Sequence, residues 1–376
     1  MVGFLEAIDR ARHDVYVYST SWQSADDLVT SRAKRALRSA DRWISCSATD
    51  NADIAASVNE NMIDVLVDVF YIKYRMEILA ARPAPVQLNF IGHPSTCGAH
   101  YIQYISVDRI TAPPDHASHF SERLAVMPWN YMVNSLASLF QRSRTVLEAR
   151  IAERAHLRQA HGLPAAKFVL VSLNSAFKQD PLVFALWMRV LVRVPHAVLW
   201  VIVDAESEAR LSMEREAQRA GVGTDRLLWA PSRQLDAHLQ RLAAGDLCVD
   251  TFAYNAHATA MDAIWGGLPL VSYAGETMSS RLAHNVLFSA GMQRLIARTP
   301  DEYVELIVAL ANHPERMDEL RAELARATDA PLFDTRQYTR HWERSVRMMV
   351  EHMYVDQRTS HVVLADRYHD ASRTRR

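Results

Sequence analysis

Leu247-Cys248-Val249-Asp250-Thr251-Phe252-Ala253-Tyr254-Asn255-Ala256-His257-Ala258-Thr259-Ala260-Met261-Asp262-Ala263-Ile264-Trp265 reads as a short buried strand, a polar turn, and a helix with small residues in its first turn. The opening turn of a helix presents unpaired backbone N–H groups and the positive end of the macrodipole, and both attract a phosphate. Ala256, Ala258 and Ala260 leave that approach open, while His257 and Thr259 add side-chain donors. Asp262, one turn further along, faces the same end and could accept from a ribose hydroxyl. A nucleoside diphosphate fits this pattern. A helix with nothing bound, capped by Asn255 or Thr259, fits it as well.

The same strand–turn–helix grammar extends in both directions. Downstream of Pro164 the chain reads Phe168–Ser172 as strand, 181–194 as helix, Ala197–Val203 as strand, 206–220 as helix, Arg226–Trp229 as strand and 234–243 as helix. After the opening stretch come the strand Pro269–Tyr273 and helices over 279–290, 301–312, 314–327 and 335–355. Upstream, helical patterns over 3–12, 25–40 and 52–61 alternate with strands at Asp14–Ser19, Trp43–Cys46 and Ile63–Val69; Val86–Ile91 and Tyr104–Asp108 add two more. Strands alternating with helices predict parallel sheets built from βαβ units. A polar helix over 143–161 ends at His161-Gly162-Leu163-Pro164, and Gly followed by Pro punctuates a helix end, so a boundary is placed there. The expected organisation is an α/β half over 1–162, a second α/β half over 163–330, a C-terminal helix over 331–355 and a polar, frayed tail over 356–376. Ligands of such folds bind at the carboxyl ends of the strands, and the opening motif lies at one, directly after Asp250.

With 376 residues the chain is long enough for two domains. Lys plus Arg (42) nearly balances Asp plus Glu (43), so net charge does not indicate a broad nucleic-acid face. Cys46, Cys97 and Cys248 are widely spaced and odd in number, which suggests reduced thiols in a cytosolic setting and neither a disulfide framework nor a zinc site. The first ten residues carry acids within their apolar stretch and do not read as a signal peptide. No apolar run reaches the ~18 residues of a membrane span. A soluble, intracellular protein without nucleic-acid or membrane partners is the expectation.

Three further segments bear on the same ligand. Leu173-Asn174-Ser175-Ala176-Phe177-Lys178-Gln179-Asp180-Pro181 follows the first strand of the second half, with Lys178 just ahead of a helix started by Pro181. Taken alone, a loop lysine reads first as a solvated charge. His238 and Arg241 are three apart and share a helix face; they could hold a base between an imidazole and a guanidinium, or form a solvent-facing stripe. Ala274-Gly275-Glu276-Thr277-Met278-Ser279-Ser280-Arg281 reads as a turn and a capped helix start.

In order and spacing these segments resemble the catalytic region of the nucleocytoplasmic protein O-GlcNAc transferases, relatives of the SPINDLY-type protein O-fucosyltransferases, in glycosyltransferase family 41. Arg82-Pro83-Ala84-Pro85-Val86-Gln87, Gly92-His93-Pro94-Ser95-Thr96-Cys97-Gly98, Arg193–Trp200, Asn255-Ala256-His257-Ala258-Thr259, Gly275-Glu276-Thr277 and Pro331–Tyr338 carry the resemblance across nearly the whole chain. It implies a GT-B fold of two facing Rossmann-like halves, with a C-terminal helix crossing back. It also implies inverting transfer of GlcNAc from UDP-GlcNAc to Ser or Thr of cytoplasmic or nuclear proteins, without cofactor or metal. Lys178 would contact the diphosphate and offset charge on the leaving UDP. His257, Ala258 and Thr259 would bind phosphate, Asp262 the ribose, and His238 with Arg241 the uracil. Gly92 and Pro94 match positions beside the GlcNAc.

This chain departs from the family pattern at several points. The family's first strand and histidine-bearing turn would precede Phe4, and its helical repeat array is not in this sequence, so the chain reads as N-terminally truncated. Val69-Phe70-Tyr71-Ile72-Lys73-Tyr74 replaces a glycine-containing loop. Ser175 stands where glutamine is usual, Leu235 where a lysine precedes the histidine, and Ala258 where threonine is usual. Loss of a cation at Leu235 and of a longer hydrogen-bonding arm at Ser175 predicts weakened nucleotide binding. The competing functions are an impaired member acting as a nucleotide- or protein-binding module, and a protein O-fucosyltransferase using GDP-fucose.

Overall fold

The computed structural model describes residues 1–20, 28–37, 41–69, 75–140, 153–203, 207–327 and 330–365. The expected helix over 143–161 is described from Arg154 to Ala160, its earlier part lying outside these residues, as do both ends of the 25–40 helix, residues 70–74 of the altered loop and the last residues of the tail. The chain divides into two compact units, Met1–Phe140 with Pro331–Arg376, and Gln141–Ala330.

In the first unit β1 (Tyr16–Ser19) pairs in parallel with β2 (Arg42–Ser45). A second parallel sheet orders a two-residue strand, Val362–Val363, then β6 (Arg123–Met127), β5 (Tyr104–Asp108), β4 (Val86–Asn89) and β3 (Val65–Asp68). β4 and β5 are buried at every position, as parallel strands covered on both faces require. The helices Val2–Ala7 and Thr335–Tyr354 pack through Phe4, whose ring lies 4.9 Å from that of Trp342 and 5.7 Å from that of Phe90.

Two strands here were not expected. β6 is one. The other lies in the stretch read as a frayed tail: Val362 pairs with Ala125 of β6, His361 Nδ1 accepts from the Leu124 N–H at 2.9 Å, and the Leu364 N–H donates to the Val126 carbonyl at 3.0 Å. Pairing with a buried neighbour orders a segment whose own composition is polar.

The second unit holds β7 (Phe168–Ser172), β8 (Ala197–Ile202), β9 (Leu227–Ala230), β10 (Leu247–Val249), β11 (Leu270–Tyr273) and β12 (Ile296–Ala297), in the order β12-β11-β10-β7-β8-β9. Every pairing is parallel. Val169, Leu170, Val171, Leu199 and Val249 are 0% exposed, which accounts for continuous apolar runs where a half-exposed sheet would alternate. The helix Pro181–Arg193 begins where the Asp180 carboxylate accepts from the Val183 N–H, with Pro181 in the first turn.

From β7 the chain first lays β8 and β9 on one side, then returns to lay β10, β11 and β12 on the other. The strand order therefore reverses between β7 and β10, and the crevice outside their carboxyl ends is where such sheets bind ligands. The opposite end is tied down by Asp246, which accepts from the Val169 N–H at 2.7 Å and gathers the guanidinium groups of Arg154, Arg158 and Arg321.

Candidate active site

The loop after β7 carries Lys178 to the switch point. Ser175, exposed, opens a single 3-10 turn over Ala176–Lys178, and its carbonyl accepts from the Lys178 N–H at 3.0 Å. This turn aims the half-buried lysine across the crevice at the segment after β10. There Lys178 Nζ donates to the Asn255 carbonyl at 3.0 Å and stands 3.9 Å from the centre of the Tyr254 ring. Burial lowers its pKa, and the nearby Asp250 carboxylate works in the other direction.

The segment facing it is tightly bonded. Asp250, 0% exposed, accepts through Oδ1 from the N–H groups of Thr251 (2.8 Å) and Ala256 (2.6 Å), and through Oδ2 from the Ser272 hydroxyl (2.5 Å). Asn255 donates from its side chain to the Thr251 carbonyl at 2.6 Å and from its backbone to Ser279 at 2.9 Å. From below, the Tyr303 hydroxyl donates to the Asp250 carbonyl at 2.9 Å and accepts from Trp187 Nε1 at 3.0 Å.

The helix Ala258–Gly266 leaves this turn with His257 at its N-cap and no side-chain cap. Its first helical bonds run from Ala260 and Met261 to the His257 carbonyl, so the Ala258 and Thr259 N–H groups lie ahead of them. Neither Asn255 nor Thr259 serves as the N-cap considered from sequence. Burial, then Lys178, pushes the His257 pKa down to about 3, so its imidazole is neutral. The helix ends at Gly267, whose φ of +78° is the left-handed conformation that glycine tolerates best.

His238, Arg241 and Asp262 come together beside the same helix. Arg241 is 1% exposed and 5.8 Å from the Trp200 ring centre; it donates to the Pro231 carbonyl at 2.6 Å and to His238 Nδ1 at 2.9 Å. An arginine has no acceptor, so Nδ1 carries the lone pair and the His238 proton sits on Nε2. That Nε2 lies 3.8 Å from Asp262 Oδ2. Burial, helped by Arg241, lowers the His238 pKa to about 4, and burial raises that of Asp262 to about 7. Arg241 faces the interior and orients the imidazole; it does not offer an open guanidinium face to a base.

Gly92 and Pro94 lie in the first unit, in the loop after β4, with Gly92 exposed and Pro94 buried. The loop is held by Glu122, 2% exposed, which accepts from the Thr96 hydroxyl at 2.7 Å and the Cys97 N–H at 2.6 Å. Ala274–Arg281 is structural as read: Thr277 and Ser280 form a reciprocal capping box. Cys46, Cys97 and Cys248 are free thiols. Among the described residues no group of three His, Cys, Asp or Glu is arranged to hold a metal ion, and no helix is long and apolar enough to cross a membrane. Asp250, Tyr254, Ser272 and Tyr303 are the residues of this region that sequence reasoning passed over, because their roles depend on contacts between distant strands and helices.

Several known proteins resemble this chain in sequence or in fold. The probable UDP-N-acetylglucosamine–peptide N-acetylglucosaminyltransferase SEC of Arabidopsis thaliana is 31% identical over 339 residues, covering 89% of this chain and 34% of that protein. The UDP-N-acetylglucosamine–peptide N-acetylglucosaminyltransferase of Caenorhabditis elegans is 24% identical over 434 residues, covering 88% of this chain and 37% of that protein. The chain thus spans about a third of the length of these curated relatives. A mutant of the Thermobaculum terrenum O-GlcNAc transferase superposes with a TM-score of 0.80 at 25% identity, covering 93% of this chain and 64% of that one. Anabaena HepE in complex with UDP and glucose, 11% identical, superposes with a TM-score of 0.56 over 92% of this chain and 94% of that one, a likeness of fold. The α/β architecture with parallel sheets is of the GT-B type. A model of the family Glycosyl transferase family 41 matches residues 1–156 and 141–342, and the chain belongs to that family.

Proposed function

We propose that the chain is the catalytic region of a UDP-GlcNAc:protein O-GlcNAc transferase, which moves GlcNAc with inversion onto Ser or Thr hydroxyls of proteins. The observation that carries this reading is the pairing of Lys178 with an uncapped helix N-terminus at the β7–β10 switch point. A diphosphate there meets an ammonium, the N–H groups of Ala258 and Thr259, and the positive end of the helix. The names of the relatives in Arabidopsis thaliana and Caenorhabditis elegans support the donor and the peptide acceptor.

The chemistry follows from where charge develops. As the anomeric carbon passes to an acceptor oxygen, the departing UDP gains negative charge on its terminal phosphate. Lys178 and the helix dipole offset that charge, an effect on the order of 3–4 kcal/mol for one well-placed donor. These groups do the work a divalent cation does elsewhere, so the reaction is expected to run in chelator. His257 adds a neutral donor. Asp262 accepts from the ribose, His238 contacts the uracil side through its Nε2–H, and Arg241 holds that imidazole. Ser175, exposed at the start of the Lys178 loop, is proposed to contact the nucleotide. Gly92 and Pro94 are assigned to the sugar.

The direct test is transfer of labelled GlcNAc from UDP-GlcNAc to a Ser/Thr peptide, with GDP-fucose as parallel donor and Lys178→Met as control. Transfer from UDP-GlcNAc that Lys178→Met abolishes supports the proposal. Equal activity in that variant removes the assignment of Lys178, and transfer only from GDP-fucose replaces the donor.

A further inference from the structure

A single peptide group joins the half-buried ammonium and the buried carboxylate of the crevice. The Asn255 carbonyl and the Ala256 N–H belong to the same peptide plane: Lys178 Nζ donates to the carbonyl at 3.0 Å, and Asp250 Oδ1 accepts from the N–H at 2.6 Å. The peptide dipole therefore lies between ammonium and carboxylate with its positive end toward Asp250 and its negative end toward Lys178. Asp250 is completely buried, and it also grips Thr251 and Ser272. A carboxylate beneath a diphosphate site repels the ligand at long range and is costly to bury, so it calls for a compensating role.

We propose that Asp250 is a positioning residue for the phosphate cradle, acting through the Asn255–Ala256 peptide to fix the turn that aims the Ala258–Gly266 helix and to keep Lys178 protonated and directed into the crevice. The proposal rests on the nucleotide reading of the site for its purpose, though not for its geometry. When phosphate oxygens reach the crevice, Lys178 can exchange the Asn255 carbonyl for them, while Asp250 holds the peptide in place. The cradle is then preorganised and does not have to be assembled by the ligand.

Electrostatics agree with the geometry. The titratable groups facing this pair are Cys248 on β10, Tyr254 and His257 on the turn and Tyr303 on the helix Pro300–Asn312. Burial holds the thiol and both phenols above their usual ranges and leaves His257 neutral. Asp250 itself is lifted to about 7, chiefly by burial, and Lys178 is lowered. Above pH 8 the charge that Lys178 sees is therefore that of Asp250.

The experiment compares the chain with Asp250→Asn, whose amide oxygen keeps the acceptor for Thr251 and Ala256 while the charge is lost. The Lys178 side chain is followed by carbon NMR of the ε-carbon across pH 7–11 without ligand, and UDP and uridine affinities are measured by calorimetry at the pH extremes. The expected result is a Lys178 midpoint lower by about one unit in Asp250→Asn. The alkaline loss of UDP affinity should begin correspondingly earlier, with uridine unaffected. A purely structural Asp250 would leave the Lys178 midpoint in place, and that coincidence overturns the proposal. Asp250→Ala supplies the second arm: faster amide exchange at Ala256 supports the clamp, and unchanged exchange counts against it. If the unaltered chain binds no UDP, the nucleotide reading falls, while the lysine titration and amide exchange still decide the role of Asp250.

Discussion

Replacing Arg241 by methionine separates what this residue does for folding from what it does for His238. The guanidinium is 1% exposed and makes two hydrogen bonds, to the Pro231 carbonyl and to His238 Nδ1. Bonds from a charged donor contribute about 1.5–3 kcal/mol each. Burial, with the Arg233 charge second, opposes them: it pushes the Arg241 pKa down to about 10, a penalty on the order of 3 kcal/mol. The terms largely offset, so stability should fall by only about 1–3 kcal/mol, most of it from the unpaired Pro231 carbonyl. The greater effect falls on the imidazole. Without a donor at Nδ1, only the Asp262 carboxylate 3.8 Å from Nε2 still favours the Nε2–H tautomer, and a nucleotide contact made by Nε2–H is weakened about tenfold. Nitrogen NMR of the His238 ring reads the tautomer directly, urea unfolding reads stability, and calorimetry reads UDP affinity. A wild-type His238 protonated on Nδ1 would refute the reasoning, as would unaltered UDP affinity in Arg241→Met.

Lys178→Met should lower the turnover number about a hundredfold or more while shifting the thermal midpoint only slightly, because the lost bond to Asn255 is offset by removing a charge that burial disfavours; steady-state kinetics and calorimetric melting check both. Asp262→Asn should stabilise the protein at pH 8 and not at pH 4. Its carboxyl is raised to about 7 when folded, so the folded chain holds the extra proton only between about pH 4 and 7 and carries the full penalty above that window. Melting at the two pH values tests this, with UDP affinity expected to fall. For His238 the sign reverses: a folded pKa of about 4 means the unfolded chain takes up protons first as pH drops below about 6.5, so stability is lost toward pH 4, and His238→Gln should flatten that slope. Glu122→Ala leaves the Thr96 hydroxyl and the Cys97 N–H without their acceptor, at a cost of about 2–3 kcal/mol; faster amide exchange confined to residues 93–98 is the expected signature.

The elements most legible in the chain were those whose local pattern and tertiary setting agree. β7 and the helix Ala258–Gly266 stand where continuous apolar sequence and small residues placed them, because buried parallel strands need no alternation to be recognised. β6 was missed: Arg123-Leu124-Ala125-Val126-Met127 opens on a charge and contains a single β-branched residue, and its place comes from pairing with β5. β12 and Val362–Val363 have two residues each, too few for any periodicity. At the site, residue types alone left Lys178 and His238 open to a solvent-facing reading, and the resemblance to family 41 singled them out together with Asp262. Asp250 read as no more than a strand end, since its partners come from β11 and from the turn. The difference between Arg241 as a stacking face and as a buried donor likewise depends on Trp200 and Pro231, which no spacing rule brings to it.

The account depends above all on phosphate recognition by Lys178 and the N-terminus of the Ala258–Gly266 helix. Calorimetric titration of the chain with UDP and with uridine, repeated on Lys178→Met, isolates that contribution. The account expects UDP to bind more tightly than uridine by about tenfold or more, and expects Lys178→Met to reduce that preference sharply. Equal affinities for UDP and uridine in the unaltered chain, or a preference that survives loss of the lysine, would contradict it.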